Sequence, residues 1–140
     1  MGFDWRVINL NADAFVEGLQ NTLGITATAM AIGVLLGIVL CAMRLSPRRW
    51  IASPVRAYIT FFRITPELAL IFWAYFCLPP LFDLRLSGWL SGTLVLGLVA
   101  AAYLAEIFRA GIEAVPRGQL EAATALGLGR AQIFRYIIMK

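Results

Sequence analysis

The chain has 140 residues, 61% of them apolar and only 14% charged, with a mean hydropathy of +0.80. A soluble domain of this size carries a more polar surface, so a membrane class comes first. The net charge of +4 does not point to nucleic acid, because the basic residues gather at the ends of apolar runs and no nucleic-acid-binding motif is present.

The first residues carry Asp4, Arg6, Asp13 and Glu17 rather than a basic leader, which argues against a secretory signal. No residue in 18–43 is charged. That run exceeds the roughly 20 residues a helix needs to cross a bilayer core, and it predicts a first span ended by Arg44, Pro47, Arg48 and Arg49. Gly33 and Gly37 form a small-xxx-small pair that can seat a neighbouring helix closely.

A second span is predicted over 57–82, with Arg63 and Glu67 inside it. The uncharged part, 68–82, makes only about 22 Å of helix, too short to cross alone, so Arg63 and Glu67 must lie partly at membrane depth. Arg63 can snorkel to the cytoplasmic edge. Glu67 is a turn deeper, and Pro66 loosens the backbone between them. An intramembrane carboxylate is a functional candidate by default. Glu67 either meets a cationic amino acid or pairs with Arg63, four residues earlier. Pro79-Pro80 closes this segment.

A third span is predicted over 86–108, with Glu106 and Arg109 at its exit. Basic residues favour the cytoplasmic side. Arg44, Arg48, Arg49 and Arg56 lie between spans one and two; Arg109, Arg117, Arg130, Arg135 and Lys140 follow span three. The N-terminal segment has one Arg against three acids, and the remaining loop has Asp83 and Arg85. Both basic groups fall on one side only with the N-terminus outside and the C-terminus in the cytoplasm. Cys41 and Cys77 then sit near opposite faces and cannot pair within the chain. With no histidine and two cysteines, a His/Cys metal site is excluded.

The segment 110–138 mixes small, charged and apolar residues. Pro116 can open a helix, and Gly127 and Gly129 can close one, predicting a short helix over 119–126. Leu120, Ala123 and Leu126 would form a narrow apolar face, and Glu121 suits the helix N-terminal half. Ile133, Phe134, Ile137 and Ile138 form a second apolar stretch toward bilayer or spans. Glu106, Arg109, Glu113 and Arg117 are spaced for a surface ion-pair ladder.

The spacing Glu121-Ala122-Ala123, three residues, Gly127, nine residues, Ile137 resembles the EAA loop of ABC-importer permeases. The run 102–112 with Gly118-Gln119, the run 62–66 and Asn21-Thr22 resemble the polar-amino-acid branch of that family. The resemblance implies an all-α type I ABC-importer transmembrane fold, with three N-terminal spans and a cytoplasmic coupling helix. It implies a non-catalytic subunit in a bacterial inner membrane, binding no cofactor itself. Its partners would be an ABC ATPase subunit, a second permease subunit, a periplasmic or lipid-tethered amino-acid-binding protein and membrane lipid. Gly118, Gln119, Glu121, Ala122, Ala123 and Gly127 would dock the ATPase, and Thr65, Pro66 and Glu67 would line the substrate pathway. Family members usually carry Gly where this chain has Ile64, and often an apolar residue, in some members an acid, where it has Glu67. The family pattern also continues after Ile137 with Leu-Pro and two more spans, so a truncated chain is expected. A truncated, non-transporting protein that binds or competes for the ATPase is the alternative. A membrane enzyme would need a nucleophile and base that the chain lacks, and no phosphate-binding Gly-x-x-x-x-Gly-Lys loop is present.

Overall fold

A computed structural model of the chain describes residues 11–83 and 86–138. Asp4, Arg6, Arg85, Met139 and Lys140, which entered the charge and motif readings, lie outside the described residues. Among the described residues every regular element is helical.

Helix α1 runs Ala12–Arg44. Its polar side chains are satisfied locally: the Thr22 and Thr28 hydroxyls donate to the Gly18 and Gly24 carbonyls at 2.8 Å. A lipid-facing helix requires such internal pairing, because hydrocarbon offers no other acceptor. Phe15, Leu19, Leu23, Leu35, Ile38 and Val39 are exposed on its outer face. Ala29, Gly33, Gly37 and Cys41 form the buried seam.

That seam receives α4, Gly88–Glu113. A methyl group added to Gly33 would stand 2.7 Å from Ala100 Cβ, and one on Gly37 would stand 3.0 Å from Leu104 Cβ. The glycine pair therefore seats a helix, as its spacing predicts. Gly97 returns the contact, since a methyl group there would stand 2.9 Å from Ile32 Cγ2. Both helices advance together through these contacts, so α1 and α4 are parallel. Such close approach substitutes dispersion for the hydrophobic effect, which does not act between helices in lipid.

Where the sequence predicts one span over 57–82 with its backbone loosened at Pro66, the structure has two helices, α2 (Arg49–Ile64) and α3 (Glu67–Phe82), bent by 103°. The cause is Pro66. Its ring drives Thr65 out of the helical region, to φ −77 and ψ 131, so α2 ends at Ile64. Within α3 the turn Trp73–Cys77 is π-helical. Pro79 and Pro80 offer no N–H to the carbonyls of Tyr75 and Phe76, and widening the turn relieves the ring-to-carbonyl clash. Asp83 takes a left-handed conformation, φ 50, that ends the helix. Ser87 then opens α4 by accepting the Leu90 N–H at 3.2 Å.

Helix α2 packs on the joined pair. Val55 and Ile59 meet Cys41, Ala102 and Ala105 in one cluster, while Phe62 also reaches Val95 and Val99. As α2 advances α4 recedes, so the two are antiparallel. The Tyr58 hydroxyl fixes their register by donating to the Leu98 carbonyl at 2.9 Å. By length and apolarity α1 and α4 can each cross a membrane, and the bent α2–α3 pair passes the same criterion taken together. Cys41 is buried and Cys77 exposed, both as free thiols.

Candidate functional site

Three places hold the residues singled out by sequence: the segment after α4, the break in the second span, and the charged end of α4.

Beyond α4 the chain turns at Pro116, which caps α5, Arg117–Ala125. This helix starts earlier than the 119–126 expected, because Pro116 sits at the N-cap rather than in the first turn, and its carbonyl accepts from Gln119 N at 3.0 Å. The C-terminal end is a complete Schellman motif. Gly127 N donates to Thr124 O at 3.0 Å and Leu128 N to Ala123 O at 3.1 Å. Gly127 has φ +76, which a side chain would strain. Its place in the EAA spacing therefore has a mechanical reason. Ala123 is 3% exposed, whereas Gly118, Gln119, Glu121 and Ala122 are open to solvent. The apolar face differs from expectation. Leu120 is half-buried, but Leu126 is 80% exposed, since it is the capping residue past the last helical turn.

The next helix, α6, runs Arg130–Ile133 and widens into a π-helical turn, Phe134–Ile138. The Gln132 side chain caps it by accepting Gly129 N at 2.9 Å. Ile133 and Ile137 are half-buried and Phe134 is 50% exposed. The Ile138 side chain lies outside the described part.

At the break, Arg63 and Glu67 belong to helices at a steep angle, and among the described residues no ion pair joins them. Arg63 instead reaches back along α4, its guanidinium 5.4 Å from the centre of the Tyr103 ring. Glu67 is exposed in the first turn of α3, where a carboxylate suits the helix dipole. The Thr65 hydroxyl donates to Phe61 O at 2.8 Å. Thr65 borders a cavity of about 420 Å³ walled by Phe61, Phe62, Leu70, Trp73, Val95 and Leu98 among others; Pro66 and Glu67 do not line it. Its walls are almost wholly apolar and suit another hydrophobic surface better than a zwitterion.

The ladder at the end of α4 forms in part. Glu106 Oε2 accepts from Arg109 Nε at 3.0 Å and Nη2 at 2.7 Å, and Arg109 also binds Glu113. Among the described residues Arg117 joins no ion pair, because the chain leaves the helix after Glu113. A residue not anticipated takes its place: Arg44 of α1 lies with Nε 3.7 Å from Glu106 Oε1. The signal was available in principle. Spans one and three of an alternating set run the same way, so charges at their exits come together.

A small-residue helix pair, a proline-broken second helix and a short helix beyond the third make an all-helical protein of membrane type among the described residues. The family model described as "Binding-protein-dependent transport system inner membrane component" matches residues 29–140. The chain belongs to this family. It is 37% identical to the glutamate/aspartate import permease protein GltK of Escherichia coli O6:H1, over 98% of this chain and 64% of that protein. It is 37% identical to the octopine transport system permease protein OccM of Rhizobium radiobacter, over 99% of this chain and 60% of that protein. It is 38% identical to the arginine transport system permease protein ArtQ of Bacillus subtilis, over 99% and 64%. A crystal structure of an amino acid ABC transporter with histidines superposes with a TM-score of 0.87 at 36% identity, covering 99% of this chain and 64% of that one. The chain thus spans somewhat under two thirds of the length of these relatives. Subunits of this family are non-catalytic membrane components.

Proposed function

We propose that the chain is the permease subunit of an ATP-driven amino-acid importer in a bacterial inner membrane, with its N-terminus outside and C-terminus in the cytoplasm. Helix α5 is the lever on which a separate ABC ATPase docks, through Gly118, Gln119, Glu121 and Ala122, with Ala123 and Gly127 holding the lever rigid. The observation that carries this reading is a short helix, opened at Pro116 and closed by a Schellman turn, with that exposed set, in a chain matched nearly end to end by amino-acid permeases. A second permease subunit, identical or homologous, completes the pathway, and a binding protein delivers the amino acid from outside. The chain itself carries no cofactor in this reading; nucleotide acts through the ATPase, biasing two arrangements of the spans.

The break at Thr65-Pro66-Glu67 contributes to the pathway. Support comes from the interrupted backbone, since irregular backbone at membrane depth is tolerated where it lines a cavity or is buried in protein. The substrate is an amino acid. Relatives named for glutamate/aspartate, octopine and arginine stand at 37%, 37% and 38% identity, so similarity does not rank them.

The test is co-expression with an ATPase subunit, followed by affinity capture and uptake in proteoliposomes. Capture of the ATPase by the wild-type chain, lost by about tenfold in Glu121→Ala, is expected; tenfold equals about 1.4 kcal/mol, within reach of one charge-assisted contact. Equal capture by Glu121→Ala removes that residue from the interface. Capture without uptake would favour a protein that only occupies the ATPase.

A further inference from the structure

We propose that Arg44 and Glu106 form a clamp that makes α1 follow α4 when α5 is pushed, so that Glu106 is a positioning residue of the coupling path. The proposal rests on the docking role of α5 given above.

The rest of the α1–α4 seam is glycine against alanine or a side-chain stem: Gly33 on Ala100, Gly37 on Leu104, Gly97 on Ile32. Such a surface holds the helices close by shape alone and contributes no charged contact between them. An ion pair at the common end adds a Coulombic tie across that seam. Among the described residues Arg44–Glu106 is the one ion pair that joins two different helices.

Glu106 is built as the hub. Its Oε2 is occupied by both Arg109 donors, which leaves Oε1 turned to Arg44. The side chains of Arg44 and Glu106 are only 18% and 19% exposed, so solvent screens them less than a surface pair. Arg44 Nε is buried and has no hydrogen-bond acceptor. Its nearest carboxylate oxygen is at 3.7 Å, about 1 Å beyond a charge-assisted hydrogen bond, so the pull between the helices acts over a short, unsaturated gap. Arg63, lying over Tyr103, adds positive field at the same carboxylate. On the other side Arg109 continues the chain of contacts to Glu113, the last residue of α4, and residues 114–116 lead directly into α5. Displacement of α5 therefore enters α4 beside this network and passes to α1 through it.

The experiment uses the complete importer, with its ATPase and binding protein, in proteoliposomes. Amino acid imported per ATP hydrolysed is measured for wild type, Glu106→Gln, Arg44→Gln and Arg44→Lys. Both glutamine variants should lose about fivefold or more of that ratio while capturing the ATPase as wild type does, and Arg44→Lys should recover part of it. A separate readout uses spin labels at Ser46→Cys and Ile107→Cys in a Cys77→Ser background. Their distance should stay the same with and without nucleotide in wild type and broaden in Arg44→Gln. An unchanged import ratio in both glutamine variants overturns the clamp, as does an unbroadened label distance in Arg44→Gln. If Glu106→Gln fails to fold, Arg44→Gln, which leaves the Glu106–Arg109 pair intact, carries the decision. Failure of wild type to capture ATPase would instead defeat the docking role of α5, and the nucleotide-free label distance, wild type against Arg44→Gln, would still decide whether the pair ties α1 to α4.

Discussion

Gly127 illustrates how a single position can carry a whole element. Its φ of +76 closes the Schellman turn that ends α5. Gly127→Ala should cost about 1 kcal/mol and loosen the last turn, visible as faster amide exchange at Leu126 and Leu128. Tyr58 and Thr93 make an instructive contrast. Tyr58→Phe deletes the hydroxyl bond to Leu98 and should lower stability by about 1 kcal/mol in detergent melting, because the Leu98 carbonyl loses a partner. Thr93 is buried with its hydroxyl unpartnered, so Thr93→Val removes a desolvated polar group at nearly equal shape and should be neutral or stabilising. Glu67 is exposed and unpaired with Arg63 among the described residues, so Glu67→Gln should leave stability within about 0.5 kcal/mol of wild type. If Glu67 has the proposed pathway role, the substitution should instead change the ratio of basic to neutral amino-acid uptake, and an unchanged ratio removes Glu67 from the pathway.

Helices in this chain are joined by shape rather than by side-chain mass. Gly37→Leu would drive a branched side chain into Leu104 and the backbone at Ala101 and Ala105, and should cost about 1–3 kcal/mol or push α1 off α4. Gly18→Ala meets open space and should be tolerated, which makes it the matching control in the same melting experiment. The bend between α2 and α3 has a single covalent origin. Pro66→Ala restores an N–H and frees Thr65 to become helical. The angle of 103° should then open, read as a longer distance between spin labels placed at Ala57→Cys and Leu81→Cys. An unchanged distance would mean that packing of α3 on Val95 and Val99 holds the bend without the proline.

Taken as a whole, the chain is three apolar layers sharing one polar end. The parallel α1–α4 pair brings Arg44, Glu106, Arg109 and Glu113 to the same end, and the Arg63 side chain of the antiparallel α2 reaches back toward it over Tyr103. With that end in the cytoplasm, a cysteine at the exposed Leu126 should react with a membrane-impermeant reagent only in inside-out vesicles, and one at the exposed Phe82 only in right-side-out ones. Reversal of both patterns would overturn the proposed orientation and remove α5 from the ATPase side.

Hydropathy and local chemistry made much of this readable without coordinates. Uncharged runs mark the long apolar helices α1 and α4, because burial of charge in lipid is so unfavourable. Gly33, Gly37, Pro66 and Gly127 act through their own backbones, so their consequences are local and visible in one dimension. The angle at Pro66, the exposure of Leu126 and the parting of Arg63 from Glu67 were not readable in that way. Each depends on where a neighbouring helix lies after the chain has turned. Arg44 and Glu106 are the clearest case: 62 positions apart, they meet because two parallel helices, seated on glycine, end at the same depth. Register between helices is set by packing of many small surfaces at once, and no single stretch of sequence contains it.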